Sequence, residues 1–245
     1  MDITTILGLA GAAALIFAGF AGNQISASLI NLHGVVVVIG GTLVATLLNT
    51  PLKYITKSIS ELGCFFREDG ESSPEKMIPL LVNLAEQSRM RGLTALKDAD
   101  PAAAKGFLSR AASAALEYND YNFVRQVLEQ EINQSVDDMN EVMNVYRTMG
   151  VMAPMFGLLG TLIGIIGVLK DLANPESVGP AMAVAITSAF YGIFFANMVC
   201  VPIAGKMRAK VWMEVRMKSM VLEGVLEIMK GSVPLVVERR LQSFL

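Results

Sequence analysis

The sequence predicts an all-α membrane protein with four transmembrane helices. Its cytoplasmic helical domain is formed by the loop between the second and third spans and by the C-terminal tail. Three observations lead there. The 245 residues are 53% hydrophobic and only 17% charged, against about 25% charged in an ordinary soluble domain. The charges are also segregated: residues 3–52, 148–169 and 177–205 contain no Asp, Glu, Lys or Arg. An uncharged apolar run of about 18 residues or more is a candidate span. Finally, Lys and Arg crowd into two regions, eleven between Pro51 and Thr148 and eight after Gly205.

Taken in order, the first uncharged run is too long for one span. GNQISASLINLH, residues 22–33, divides it with polar residues. The spans fall near 3–21, 34–50, 149–170 and 180–204. The first has Asp2 and no positive leader, so it reads as a retained anchor and not as a cleaved signal peptide. The links between spans one and two and between three and four lack Lys and Arg, which places them outside. The middle region, the tail and both termini are then cytoplasmic. The domains follow: spans one and two over 1–50, a cytoplasmic helical region over 51–148, spans three and four over 149–205, and cytoplasmic C-terminal helices over 206–245.

In the middle region Ser73, Pro74 and Glu75 signal the start of a helix over SSPEKMIPLLVNLAEQSRMRGLTALKD. PAAAKGFLSRAASAALEY reads as a second helix and Tyr118 to Asp120 as a turn. A third helix starts near Tyr121, with Val124, Leu128, Ile132, Val136, Met139, Met143 and Tyr146 on one face. No breaker separates it from the third span, so the two predict one helix of about 50 residues. The fourth span likewise continues into the tail, stops at GSVP (231–234), and a short helix closes the chain.

Several functions are excluded or disfavoured. No metalloprotease, P-loop, nucleophile-elbow or dinucleotide-binding pattern occurs, so no catalytic residue, metal site or cofactor is expected. The single histidine, His33, lies at the edge of the second span. Cys64 and Cys200 suggest neither a disulfide nor a metal site. The net charge of −2 is uninformative about nucleic acid; membrane lipid is the expected environment, and no nucleic-acid partner is. Ion-translocating proteins usually place an Asp or Glu in the membrane, and these spans have none. If the protein moves ions, another chain must supply the carboxylate.

Glycine in a helix interior costs roughly 1 kcal/mol against alanine, yet MFGLLGTLIGIIG carries Gly157, Gly160, Gly164 and Gly167 on one face. The fourth span has a matching stripe of Ala181, Ala185, Ser188, Gly192 and Ala196, and the first carries Gly8, Gly11 and Gly19. Small residues let helices approach closely in lipid. Ordinary packing within one subunit accounts for the stripes. A sharper reading makes Gly157, Gly160, Gly164, Gly167, Ala185 and Gly192 a smooth wall along which a partner helix slides or rotates.

The stretches MAPMFGLLGTLIGIIGVLKDL, VGPAMAVAITSAFYGIFFANMVCVPIAGKM and EGVLEIMKGSVPLVVERRL resemble the MotA/PomA family, the multi-span subunit of the bacterial flagellar stator. RMRGLTALK resembles that family's arginine-glycine-leucine segment. The resemblance implies a ring of five such subunits around two copies of a MotB/PomB-like single-span partner, which supplies the membrane aspartate and anchors to peptidoglycan. Proton or sodium flow then turns the ring against a FliG-like protein of the rotor C-ring, from the bacterial inner membrane.

The resemblance also assigns residues. Pro154 and Pro202 match the family's two functional prolines. Thr161 matches the third-span hydroxyl of sodium-driven members, and a dehydrated sodium ion needs oxygen ligands. A threonine bonded back to its own helix explains it equally. Ala189 stands where the family has threonine ahead of the YG pair that Tyr191 begins, with Ser188 just before it. Thr161 favours sodium slightly and Ala189 pulls toward protons. Arg89 matches the family's rotor-contacting arginine, beside Arg91, but Lys97 replaces the expected glutamate. That reversal keeps open a MotA-like motor with a non-flagellar load. A passive membrane scaffold or channel is the third reading.

Overall fold

The computed structural model describes residues 6–8, 10–14, 31–65, 74–170 and 175–245. The described residues are almost all helical, joined by short turns and without strands. Three helices are long and apolar enough to cross a membrane: Leu32–Asn49, Tyr121–Lys170 and Val178–Met229. The first expected span, Gly19 included, falls largely outside the described residues, although 6–8 and 10–14 are helical. Ser73 also lies outside them. The chain divides into two compact units, Met1–Glu68 with Asn140–Arg208, and Asp69–Met139 with Ala209–Leu245.

The first unit holds the membrane segments. Helix α1 (Leu32–Asn49) starts at Asn31, whose side-chain oxygen accepts from the His33 and Gly34 amides at 3.0 and 3.3 Å. Its second turn is a π turn, Val36–Gly40. Thr42 and Thr46 are buried and donate to their own helix at Val38 O (2.6 Å) and Thr42 O (2.7 Å), as a hydroxyl must in an apolar setting. Thr50 turns extended ahead of Pro51 and ends the helix. Helix α2 (Leu52–Phe65) follows at once. The buried Tyr146 hydroxyl donates to Ser58 O of α2 at 2.9 Å.

The second unit is a helical bundle. Helix α3 spans Pro74–Arg91, α4 Phe107–Tyr118 and α5 Tyr121–Lys170, the last unbroken over 50 residues as its uninterrupted pattern predicts. Helix α6 runs from Pro175–Phe194 through a π turn, Phe195–Cys200, into Val201–Met229, and α7 is Pro234–Gln242. Leu81, Phe107, Leu108, Val124, Leu128, Met220, Leu226 and Leu241 are essentially fully buried together. Of the face expected on α5, Val124, Leu128, Ile132, Met143 and Tyr146 are buried and Val136 and Met139 half-buried.

Two expected helices are shorter than their patterns suggested. The first stops at Gly92, whose φ of +73° suits glycine, and Leu93–Asp98 is a 3-10 turn. The second does not begin at Pro101. Ala104, Lys105 and Gly106 are left-handed, at φ of 51°, 56° and 82°, so α4 starts only at Phe107. Left-handed backbone costs an L residue roughly 1–2 kcal/mol. Burial of Ala103 and Ala104 offsets it, with a 2.9 Å ion pair from Lys105 to Glu214.

The stops at α4 and α6 are as the sequence suggests. Asn119 is left-handed and its amide donates to Ala115 O, closing α4. At α6 the Gly231 and Ser232 amides donate to Ile228 O and Glu227 O, the paired bonds of a Schellman end.

Candidate ion path and helix-packing site

In the first unit α5 and α6 approach backbone to backbone, and the glycines are the reason. A Cβ on Gly157 would lie 3.0 Å from Ser188 O and 3.3 Å from the Cα atoms of Ala189 and Gly192. On Gly164 it would stand 2.7 Å from the Ala185 amide nitrogen and Cβ, and on Gly192 2.5 Å from Ala153 O and 3.1 Å from the Pro154 Cα. Within the α5 stripe Gly167 alone has room, with Ala181 Cβ at 3.5 Å.

Helix α1 completes the contact from its own glycines. Gly34 faces the Ser188 and Thr187 hydroxyls, and Gly41 faces the ring of Phe156. These two were missed in the sequence, because two glycines amid valines form no stripe of their own.

Packing within the chain by itself accounts for most of the small-residue stripe. Gly157, Gly160, Gly164, Ala185 and Gly192 are turned inward to packing within one chain, where removing side chains lets two backbones touch. The outward face of α5 is instead large and aliphatic: Val151, Met155, Leu158, Leu162, Ile166 and Leu169 are all exposed. Gly8 and Gly11 meet nothing within 4 Å.

Ser188 is fully buried, and its hydroxyl donates to Val184 O of its own helix at 2.7 Å. Thr161 is half-buried and lies between two carbonyls, Gly157 O on α5 at 3.1 Å and Ala185 O on α6 at 3.0 Å. Its hydroxyl therefore bonds back to its own helix and also reaches across to the next. Ala189 is half-buried beside Gly157. The half-buried Tyr191 hydroxyl accepts from the Asn31 amide at 3.2 Å, tying α6 to the start of α1.

Pro154 sits half-buried within the unbroken α5, and having no N–H it leaves the Gly150 carbonyl without its helical donor. Pro202 is exposed on α6, two residues beyond the π turn. Pro154 is brought against Gly192 across the α5–α6 contact, whereas Pro202 lies ten residues further along α6. Neither π turn carries a sequence signal.

In the second unit Arg89 and Arg91 close α3 and Lys97 lies near the end of the following 3-10 turn, all three exposed. Arg91 approaches Asp98 at 3.9 Å, both largely exposed. On this surface Glu131 pairs with Arg110 at 2.7 Å and Glu129 with Arg125 at 2.8 Å. Burial alone would raise the Glu214 and Glu227 carboxyls. Bonds from Lys218 and Lys105 to the first, and from Ser232 and Lys230 to the second, outweigh it and hold both below the usual range. No group of metal-ligating side chains occurs among the described residues.

The model of the MotA/TolQ/ExbB proton channel family matches residues 99–220. Motility protein A of Aquifex aeolicus is 30% identical over 247 residues, covering 98% of this chain and 94% of that protein. Chemotaxis protein PomA of Vibrio alginolyticus is 27% identical over 245 residues, with 100% and 96% covered. Among solved structures, the flagellar MotAB stator complex of Bacillus subtilis contains a chain that superposes with a TM-score of 0.90 at 28% identity. It covers 99% of this chain and 96% of that one.

Proposed function

The chain belongs to the MotA/PomA family of flagellar stator A subunits, and from that premise we propose that it works as the ion-driven ring of a rotary motor. It assembles with a MotB/PomB-like single-span subunit in the inner membrane, in the five-to-two ratio that the family resemblance implies. Cation flow between the two chains becomes torque on a FliG-like rotor protein.

One observation carries the ion-driven part. The uncharged runs 148–169 and 177–205 contain no carboxylate, so a cation crossing here needs an Asp or Glu from the partner. The exposed aliphatic face of α5, from Val151 to Leu169, offers an apolar surface to a helix of that kind.

The ion path on this chain runs past Thr161 and the two prolines. Thr161 has an oxygen at the α5–α6 contact, and the prolines leave backbone carbonyls without helical donors. Sodium is favoured over protons, because a hydroxyl with two neighbouring carbonyl oxygens suits a hard cation. Arg89, Arg91 and Lys97 form the surface that meets the rotor.

A second reading keeps the motor and changes its load, and Lys97 is the observation that favours it. A cation where the family has an anion suits a driven surface of different charge.

The test is swimming speed with this chain and its own partner as the only stator, with sodium varied at fixed proton-motive force. Speed that follows sodium and collapses in Thr161→Ala supports the sodium path. Speed indifferent to sodium replaces it with proton drive, and an intact complex that drives no swimming moves the load away from the flagellum.

A further inference from the structure

Asn197 stands apart from every residue considered so far. Among the described residues of the runs 148–169 and 177–205 whose burial is given, it is the one exposed polar side chain. It lies on an outward stripe of α6 with Ile186, Phe190, Ile193 and Val201, all apolar and exposed. In a bilayer an amide on such a stripe is costly unless it meets a polar partner, and polar groups inside spans mark function by default. Its Nδ2 donates to Ile193 O at 2.9 Å, which leaves the Oδ1 of this exposed side chain as an open acceptor.

The backbone at the same residue is also short of a donor. In the π turn Phe195–Cys200 the Val201 amide donates to Ala196 O and so passes over the Asn197 carbonyl. The widened register would next offer that carbonyl the amide of residue 202, but residue 202 is a proline and has no N–H. A π turn alone would leave the carbonyl paired with residue 202, and a proline alone would orphan the carbonyl of Met198. Together they place the missing donor on Asn197, where the amide oxygen also stands. Widened turns of this kind recur at functional positions.

We propose that Asn197 is a cation-accepting residue of the ion path, receiving the ion on its backbone carbonyl and Oδ1. Neutral oxygens suit this role, because they coordinate a sodium ion, or accept a proton carried on water or on a protonated carboxyl, without trapping the charge. The inference rests on the ion-driven reading above.

The test is cation uptake by vesicles containing the complex of this chain with its single-span partner, driven by a sodium gradient or by a proton gradient. Asn197→Leu, of similar volume but without the oxygen, lowers uptake by about tenfold or more, the loss of one acceptor to a charged species. Asn197→Gln keeps the oxygen and most of the uptake. Asn197→Ala, which leaves space in place of bulk, falls with the leucine variant, and rates are compared per complex that retains its partner. Loss under the sodium gradient assigns a sodium ligand, and loss under the proton gradient alone assigns a proton acceptor. Uptake at the wild-type rate in either the leucine or the alanine variant overturns the inference while leaving the ion-driven reading in place. No uptake by the wild-type complex under either gradient overturns both.

Discussion

Gly160 and Ser188 face each other so closely that a Cβ on Gly160 would lie 2.5 Å from the Ser188 Cβ and 2.6 Å from its hydroxyl. Ser188 also sits against Gly34, whose Cβ would lie 3.0 Å from the same hydroxyl. One small side chain thus holds the place where α1, α5 and α6 meet. Gly160→Ala overpacks that junction and costs about 1–3 kcal/mol, read as a lower unfolding temperature of the detergent-solubilised complex. Ser188→Gly in the same chain removes the opposing Cβ and recovers most of the loss. Gly167→Ala, whose Cβ meets only Ala181 at 3.5 Å, is neutral or stabilising by up to roughly 1 kcal/mol. Equal losses at Gly160 and Gly167 would contradict this packing.

The Thr161 hydroxyl joins α5 to α6 through Ala185 O. Thr161→Val keeps the shape and removes the donor, costing about 1 kcal/mol of stability, whereas Thr161→Ser keeps the bond. A valine variant as stable as wild type but altered in ion dependence would assign the hydroxyl to the ion alone.

Much of this was legible in the sequence. The charge-free runs mark the membrane segments, the unbroken pattern from Val124 onward reads straight through to Lys170, and Gly231 ahead of Pro234 marks the end of α6. The direction of the glycine stripe was not legible, because a period of three and four says that Gly157 to Gly164 share a face and not which neighbour they meet. The α4 start was hidden because alanine and lysine are good helix formers. Only tertiary burial and the Lys105–Glu214 pair explain their left-handed backbone. The π turns at Val36–Gly40 and Phe195–Cys200 are shifts of hydrogen-bond register and leave no compositional trace.

Arg240 links α7 to α6 through Glu223 at 3.0 Å and Glu227 at 3.2 Å, and Ser232 donates to the buried Glu227 at 2.6 Å. The Glu227 and Glu214 carboxyls titrate below their ordinary value. The stability they contribute is therefore complete above the unfolded value, near about 4.3, and is lost as pH falls through the lower folded value. The helical signal of the full chain in detergent falls on acidification through that window. Glu227→Gln weakens the bundle by about 2 kcal/mol at neutral pH and flattens the acid dependence. An unchanged acid profile in that variant would remove Glu227 from the account.

Arg89 and Lys97 are exposed, and isolated surface charges contribute little individually, about 0–1 kcal/mol. Single alanine variants should change torque only slightly. Arg89→Glu with Lys97→Glu reverses the surface and stalls the motor at high load, and charge reversal on the rotor protein restores it. Undiminished high-load torque in the double reversal would place the rotor contact elsewhere.

On this reading the chain moves a cation without an intramembrane carboxylate of its own, and the partner supplies that group. The decisive measurement is rotation of single tethered cells powered only by this chain and its single-span partner, with the partner's membrane aspartate intact or changed to asparagine. Cells rotate with the aspartate and not with the asparagine, at equal amounts of membrane-inserted complex. Rotation that persists with the asparagine would contradict it.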